Sequence, residues 1–355
     1  MTTNLIITLI FLIGGAVLSL LINMLLLRFS KNLGIRNKND VTIRWSNESK
    51  PSLGGISMYV TFLFSTLFFA AIFSKTDVFD NPVFLSLLAA VSLAFTIGLA
   101  DDAYNTRPFL KLLGQITCGV IFVIGGVTID FFHDATLDAV FTVLWVVILM
   151  NSLNMLDNMD GITGTVSFFI LTACLVSFFL FQGLSLSFWL LTLVALLGAL
   201  IGFMKFNINP SKMFMGDAGS QFLSLVVAYF SIEAFWNVAA QFEIPSWSSF
   251  LLVLTVFTPA AVDTLTVVIN RLKKGQSPMV GGKDHTTHHL VYSGRSEFKV
   301  WFIFLIISIL SALLAIVLLL IVVKGYYQVT LIGLLYFGIV FWLLYRNTIK
   351  FKPKE

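Results

Sequence analysis

The stretch VVILMNSLNMLDNMDGITG, residues 146–164, runs directly from a membrane-type apolar helix into a polar cluster. Asn151, Asn154, Asp157, Asn158 and Asp160 fall within ten positions. Amides and carboxylates are costly in lipid unless partnered, so the segment must open into a polar site. Residues three and four apart share a helix face, which places Asn151, Asn154 and Asn158 on one stripe if the helix persists, with Asp157 at its edge. Capping a helix end takes one or two such side chains. Five point to a ligand site.

The surrounding chain has 355 residues, 58% of them hydrophobic and 11% charged, with a mean hydropathy of +0.94. A soluble domain carries roughly 25% charged residues. The fold class expected is therefore an all-α polytopic membrane protein. Apolar segments of membrane-crossing length occur at 4–27, 53–73, 83–100, 112–129, 136–154, 163–182, 184–204, 218–237, 248–270, 299–323 and 327–345, eleven transmembrane helices in all. The first run is too long for the apolar core of a signal peptide and lacks a small-x-small cleavage site, so it reads as a span. Cys118 and Cys174 lie inside apolar runs and read as small packing residues rather than a disulfide.

Of the 22 Lys and Arg, all but Lys75 and Lys324 fall on the side of the 28–52 loop. That asymmetry predicts an N-terminus outside, a C-terminus in the cytoplasm, and one integral-membrane domain over 1–355. The net charge of +4 is thus a topology signal, and no nucleic-acid partner is expected.

The polar chemistry collects on the same side. Besides the opening stretch there are SKPSLGGI (49–56), GLADDAYNTRPFLKLLGQI (98–116), KMFMGDAGSQFLS (212–224) and GQSPMVGGKDHTTHHL (275–290). Asp101 and Asp102 close an apolar helix at its negative end, where acids are disfavoured; they suit a cation, or a phosphate oriented through one. Gly216 and Gly219 flank Asp217 ahead of another apolar helix, where backbone can approach a phosphate closely. Asp and Asn oxygens together with phosphates suit Mg²⁺, or Mn²⁺. His285, His288 and His289 stand beside Lys283 and Asp284. No cysteine is near and the ligand count is poor for zinc, so they read as cationic donors for an anionic substrate. The Gly-Gly-Lys at 281–283 is not a Walker loop, because Ser277 replaces its first glycine and Asp284 its Ser or Thr. Asp263 is a charge inside the ninth segment, about two turns from Arg271, without a role. A secondary transporter is the alternative from another class, but transporters place charges near the midplane, whereas here the acids line one face.

As a set, these motifs resemble the polyprenyl-phosphate N-acetylhexosamine-1-phosphate transferases, the WecA/TagO-type branch related to MraY. The family's DDxxD stands here as Asp101-Asp102-Ala-Tyr-Asn105, its NxxNxxDGxDG as Asn151 through Gly161, its FMGDxGS as Phe214 through Ser220, and its loop histidines as His285, His288 and His289. Asn105 replaces an aspartate and Asn158 a glycine of those patterns. The PAAVDTLTVVINRLKKGQSP segment (259–278) and the HxxHH form favour the WecA/TagO-type branch over a phospho-MurNAc-pentapeptide transferase.

The resemblance implies transfer of GlcNAc-1-phosphate from a UDP-N-acetylhexosamine to undecaprenyl phosphate with release of UMP. It implies a multi-pass enzyme of the bacterial inner membrane acting early in cell-envelope glycan synthesis, and it leaves a homodimeric assembly open. It places the metal on Asn154 and Asp217, the lipid phosphate on Asp101 and Asp102, and the phosphate region on Asp157. Asp101 is the expected proton acceptor if one is needed. Asp160 and Phe214 would hold the uracil; His288, His289 and His285 would grip the donor phosphates. Asn151, Lys50 and Arg44 complete the expected substrate contacts.

Overall fold

The computed structural model describes residues 2–30, 50–72, 78–183, 186–278 and 281–352. These contain helices and no strand: α1 (Thr2–Ser30), α2 (Gly54–Ile72), α3 (Pro82–Tyr104), α4 (Pro108–Ile124), α5 (Ala135–Leu156), α6 (Ile162–Gln182), α7 (Phe188–Asn207), α8 (Gly216–Ser231), α9 (Val238–Phe242), α10 (Ser246–Val256), α11 (Thr258–Lys273), α12 (Thr286–Tyr292), α13 (Glu297–Val322) and α14 (Leu331–Lys350). A π-helical turn, Ile232–Trp236, joins α8 to α9.

Among the described residues, each of the eleven apolar segments read from the sequence falls mainly on helix. Among the described residues nine helical stretches are long and apolar enough to cross a membrane, α8 and α9 forming one of them. The segment at 112–129 falls on the shorter α4, of 17 residues. The segment at 248–270 departs from the single helix expected: it is two helices, α10 and α11, bent by 84°. Pro259 sits in the first turn of α11. Proline has no N–H to donate and its ring crowds the carbonyl four residues back, so α10 cannot run on through it.

Helix starts opposite the polar motifs are capped by short polar side chains. Asn81 accepts hydrogen bonds from the Val83 and Phe84 backbone N–H groups at 2.9 and 3.2 Å. Asp134 does the same for Thr136 and Leu137 at 3.0 and 2.9 Å. Each satisfies donors that lipid could not. Cys118 and Cys174 are buried and unbridged, as their apolar surroundings suggested.

The helix α8 is the centre of the bundle, packed by α2, α3, α5 and α6, while α7 lies against α1 and α2. Lipid offers no hydrophobic drive for helix association, so close backbone approach must supply it. At the α1–α7 contact a Cβ on Gly198 would lie 2.1 Å from Leu12 O, and one on Gly202 would lie 2.4 Å from Ala16 O. Gly202→Val therefore forces the helices apart. Overpacking of this kind costs about 1–3 kcal/mol, read as a lower midpoint of thermal unfolding in detergent; an unshifted midpoint contradicts this packing.

Candidate active site

A cavity of about 840 Å³ lies where α3, α5 and α11 end and α4, α8 and α12 begin. Asp101, Asp102, Asn151, Asn154, Asp157, Asp160, Phe214, Asp217, His285 and His288 line it, so four stretches far apart in sequence meet at one place. Arg44 lies outside the described residues.

The electrostatic centre is a residue the motif reading passed over. The Lys111 ammonium lies 2.8 Å from Asp101 Oδ2, 3.2 Å from Asp217 Oδ2 and 3.4 Å from Asn154 Oδ1. Asn154 also donates to Asp217 Oδ1 at 2.7 Å and to Ser220 Oγ at 2.9 Å. Two carboxylates and an amide oxygen thus converge on one cation. Asp101 Oδ1 accepts from the Thr106 N–H and hydroxyl at 2.8 and 2.6 Å, which pins the turn leading into α4. One helical turn beyond Lys111, buried Gln115 donates to Gln221 Oε1 at 3.0 Å and accepts from Asn151 at 2.7 Å. That amide chain sets the orientation of Asn151.

Among the described residues no group of three or more His, Cys, Asp or Glu could hold a metal. The donor set present is instead carboxylate plus amide, hard oxygens of the type Mg²⁺ accepts when substrate phosphates complete its coordination. The residues fit such an ion.

Asp102 turns to the start of α8, accepting from the Ala218 N–H at 2.9 Å. The helix has no side-chain cap of its own, so Asp102 caps it from a neighbouring helix. Gly216, at φ +75°, leaves room for this: a Cβ there would lie 2.7 Å from Asp102 Oδ2. The Asp217 backbone is thereby locked to α3.

At the far wall Asp160 is buried and accepts from Ser211 N at 3.0 Å and Asn209 Nδ2 at 3.4 Å. Lys50 Nζ stands 3.9 Å from Asp160 and 5.6 Å from the centre of the Phe214 ring. Lys50 thus sits with Asp160 and Phe214. Glu297, another residue not anticipated, lines the same wall and accepts from Asn209 at 2.8 Å.

The histidine segment divides. His285 donates through Nδ1 to Asp263 Oδ2 at 2.8 Å, and His285 and His288 line the cavity. His289 does not: its Nδ1 donates to Phe351 O, so the expected third phosphate contact is corrected to a tie with the end of α14. Burial, reinforced by the neighbouring His285, pushes His288 down to about 3; burial also lowers His289. His288 is therefore neutral at neutral pH, not the cation expected. Arg271 is fully engaged nearby, paired with Asp284 at 2.7 and 2.8 Å and donating to Pro278 O at 2.8 Å. That ion pair holds the Asp284 carboxyl below its usual range against the cost of its burial.

Both departures from the motif patterns find a use. Asn105 closes α3 in the left-handed region at φ 51°, which Asn tolerates better than most residues. Asn158 lies beyond the end of α5 at Leu156, so the stripe expected along the helix stops at Asn154. Asn158 Oδ1 instead accepts from the Thr287 hydroxyl at 2.6 Å, tying the α5–α6 turn to the histidine segment.

The fold and site define a multi-span membrane protein with one cation-centred polar cavity at its helix ends. Residues 84–235 match the family described as glycosyl transferase family 4. The resemblance carried by the motifs extends to relatives that match about 70–76% of this chain. The decaprenyl-phosphate N-acetylglucosaminephosphotransferase of Mycolicibacterium smegmatis is 28% identical, covering 70% of this chain and 66% of its own. A probable undecaprenyl-phosphate N-acetylglucosaminyl 1-phosphate transferase of Bacillus subtilis is 24% identical over 76% of this chain and 73% of its own. A phospho-N-acetylmuramoyl-pentapeptide-transferase of Halalkalibacterium halodurans is 27% identical over 75% of this chain and 82% of its own. The chain thus spans about two thirds of the length of the first of these relatives.

Two outcomes test this geometry. Lys111→Met leaves two carboxylates without their shared cation, and turnover should fall at least about 100-fold, the scale for loss of one electrostatic stabiliser; native turnover would remove Lys111 from the site. His288 titrates in the folded protein well below its ordinary value of 6.5. The unfolded chain therefore takes up the proton first, and the contribution is intact above that value and lost as pH falls from 6.5 toward 3. The thermal midpoint should drop on acidification from pH 7 to about 5, and less steeply in His288→Gln. Equal slopes would show that His288 is not the buried neutral group.

Proposed function

We propose that the protein transfers N-acetylhexosamine-1-phosphate, with GlcNAc as the sugar, from its UDP donor to undecaprenyl phosphate. An oxygen of the lipid phosphate attacks the sugar-bearing phosphorus, and UMP leaves. The observation that carries this reading is the convergence of Asp101, Asn154 and Asp217 on the Lys111 ammonium within a cavity shared with Asp160 and Phe214. The relatives' names supply the substrate classes.

Phosphoryl transfer asks the protein for positioning and charge neutralisation more than for covalent chemistry. Lys111 neutralises the donor diphosphate, and Asp101 with Thr106 holds it in place. A lipid phosphate monoester has a second pKa near 6 and is already largely dianionic at neutral pH, so Asp101 is not needed as a base. Asp102 fixes the turn that carries Asp217. Asp157, at the end of α5, borders the phosphate region. Asp160, Phe214 and Lys50 receive the uracil, and His285 and His288 face the donor phosphates. Asp217 and Asn154 would hold a magnesium ion, or manganese in its place, which would supply further charge neutralisation when bound.

The topology belongs to the same proposal. Eleven crossings place the motifs at the cytoplasmic face of the bacterial inner membrane, the N-terminus outside, and the whole of 1–355 as one domain. Apolar spans then admit a prenyl chain from the bilayer beside a nucleotide site open to the cytoplasm.

Purified protein in detergent with Mg²⁺, UDP-GlcNAc and undecaprenyl phosphate should release UMP. Asp217→Ala should lose at least about 100-fold. Release with UDP-MurNAc-pentapeptide in place of UDP-GlcNAc selects the other branch represented among the relatives, and release with neither donor refutes the transferase reading.

A further inference from the structure

Asp263 is fully buried within α11, in a segment whose pattern gives it no role. A buried carboxylate persists only when paired and hydrogen-bonded. The cation two turns along its own helix is not the partner, because Arg271 is committed to Asp284 and Pro278. Among the described residues, the hydrogen bonds of Asp263 go instead to two successive residues at the start of α12. Oδ1 accepts from the Thr286 N–H at 2.9 Å and hydroxyl at 2.6 Å, and Oδ2 accepts from His285 Nδ1 at 2.8 Å.

An ionised carboxylate only accepts, so His285 must carry a proton on Nδ1. With Nδ1 committed, Nε2 is the nitrogen left to a ligand in the cavity that His285 lines. The segment that carries the ring is fastened from a second direction as well. Thr287 donates to Asn158 Oδ1 at 2.6 Å, so neighbouring threonines fasten the start of α12 to two different parts of the bundle. The carboxylate that fixes the ring lies on the helix that begins at the 84° break, whose turn brings Asp263 beside the loop.

We propose that Asp263 is the positioning residue for His285: it fixes the Nδ1–H tautomer and presents Nε2 to an anionic oxygen of the nucleotide-sugar diphosphate. This rests on the transferase reading for the identity of that oxygen. It goes beyond that reading in giving a buried membrane-helix carboxylate a part in turnover through another residue. Carboxylates that orient a metal-ligating histidine in this manner change activity about 10–100-fold when removed, and a loss at the lower end of that scale is expected for a histidine that binds an anion. Thr286, by taking both hydrogen bonds on Oδ1, leaves Oδ2 aligned on the imidazole.

The test is a double-mutant cycle on UMP release with a thermal midpoint recorded for each variant. Asp263→Asn keeps the shape but presents an amide to Nδ1; kcat should fall about tenfold or more, with the KM for UDP-GlcNAc changed less than kcat. In a His285→Gln background the same change should cost less than about twofold, because the residue it acts through is gone. Equal losses in both backgrounds, or native kcat in Asp263→Asn, overturn the proposal. A purely structural role would lower the thermal midpoint and act additively. Nitrogen-15 histidine NMR of the native protein supplies a readout independent of any variant's folding. The His285 resonance, assigned by its loss in His285→Gln, should report a protonated, hydrogen-bonded Nδ1, and an unprotonated Nδ1 refutes the dyad. If the native protein releases no UMP, the transferase reading fails while the NMR result still decides the Asp263–His285 pair.

Discussion

The arrangement turns on one buried-edge cation. Lys111 holds Asp101, Asp217 and Asn154 within hydrogen-bonding reach of a single ammonium. Without it two carboxylates would face each other at the end of an apolar bundle, a repulsion that low-dielectric surroundings magnify. With it, α3, α4, α5 and α8 are fastened at one end by the groups that would otherwise push them apart.

Polar groups are concentrated where helices stop, and the reason is general. Helix ends expose unsatisfied N–H and C=O groups that lipid cannot serve. Here the chain answers them with neighbouring side chains: Asp102 caps α8, Asp101 holds the Thr106 turn, and Asp263 holds the first turn of α12. Each of these carboxylates satisfies backbone and, in doing so, aims a functional side chain. Structure and site are built from the same hydrogen bonds.

Much of this was legible in the order of residues. The eleven apolar segments, the motif residues that meet in the cavity and the resemblance to polyprenyl-phosphate sugar phosphate transferases all follow from hydropathy and short patterns. Lys111 escaped notice because a lysine at the start of an apolar helix is an ordinary interfacial residue. Only the fold reveals three oxygens around it. Adjacency in HxxHH likewise says nothing of which way each ring turns on a seven-residue helix, and His289 turns to the Phe351 carbonyl. Asn158 and Asn105 looked like losses from a pattern, and their geometry shows one tying two loops and the other closing a helix.

Sequence alone determined that the chain is helical and membrane-embedded, because unbroken apolar runs of about 20 residues satisfy their backbone in lipid as helices, whereas barrel strands are shorter and alternate. It also determined which residue types the chemistry uses, since clustered carboxylates and amides are too costly there to be incidental. The tertiary structure decided their partners. The 84° break at α10–α11 and the pairing of Asp263 with a histidine 22 residues on depend on packing between helices distant in sequence. No local periodicity encodes such contacts; they exist only once the helices have closed around α8.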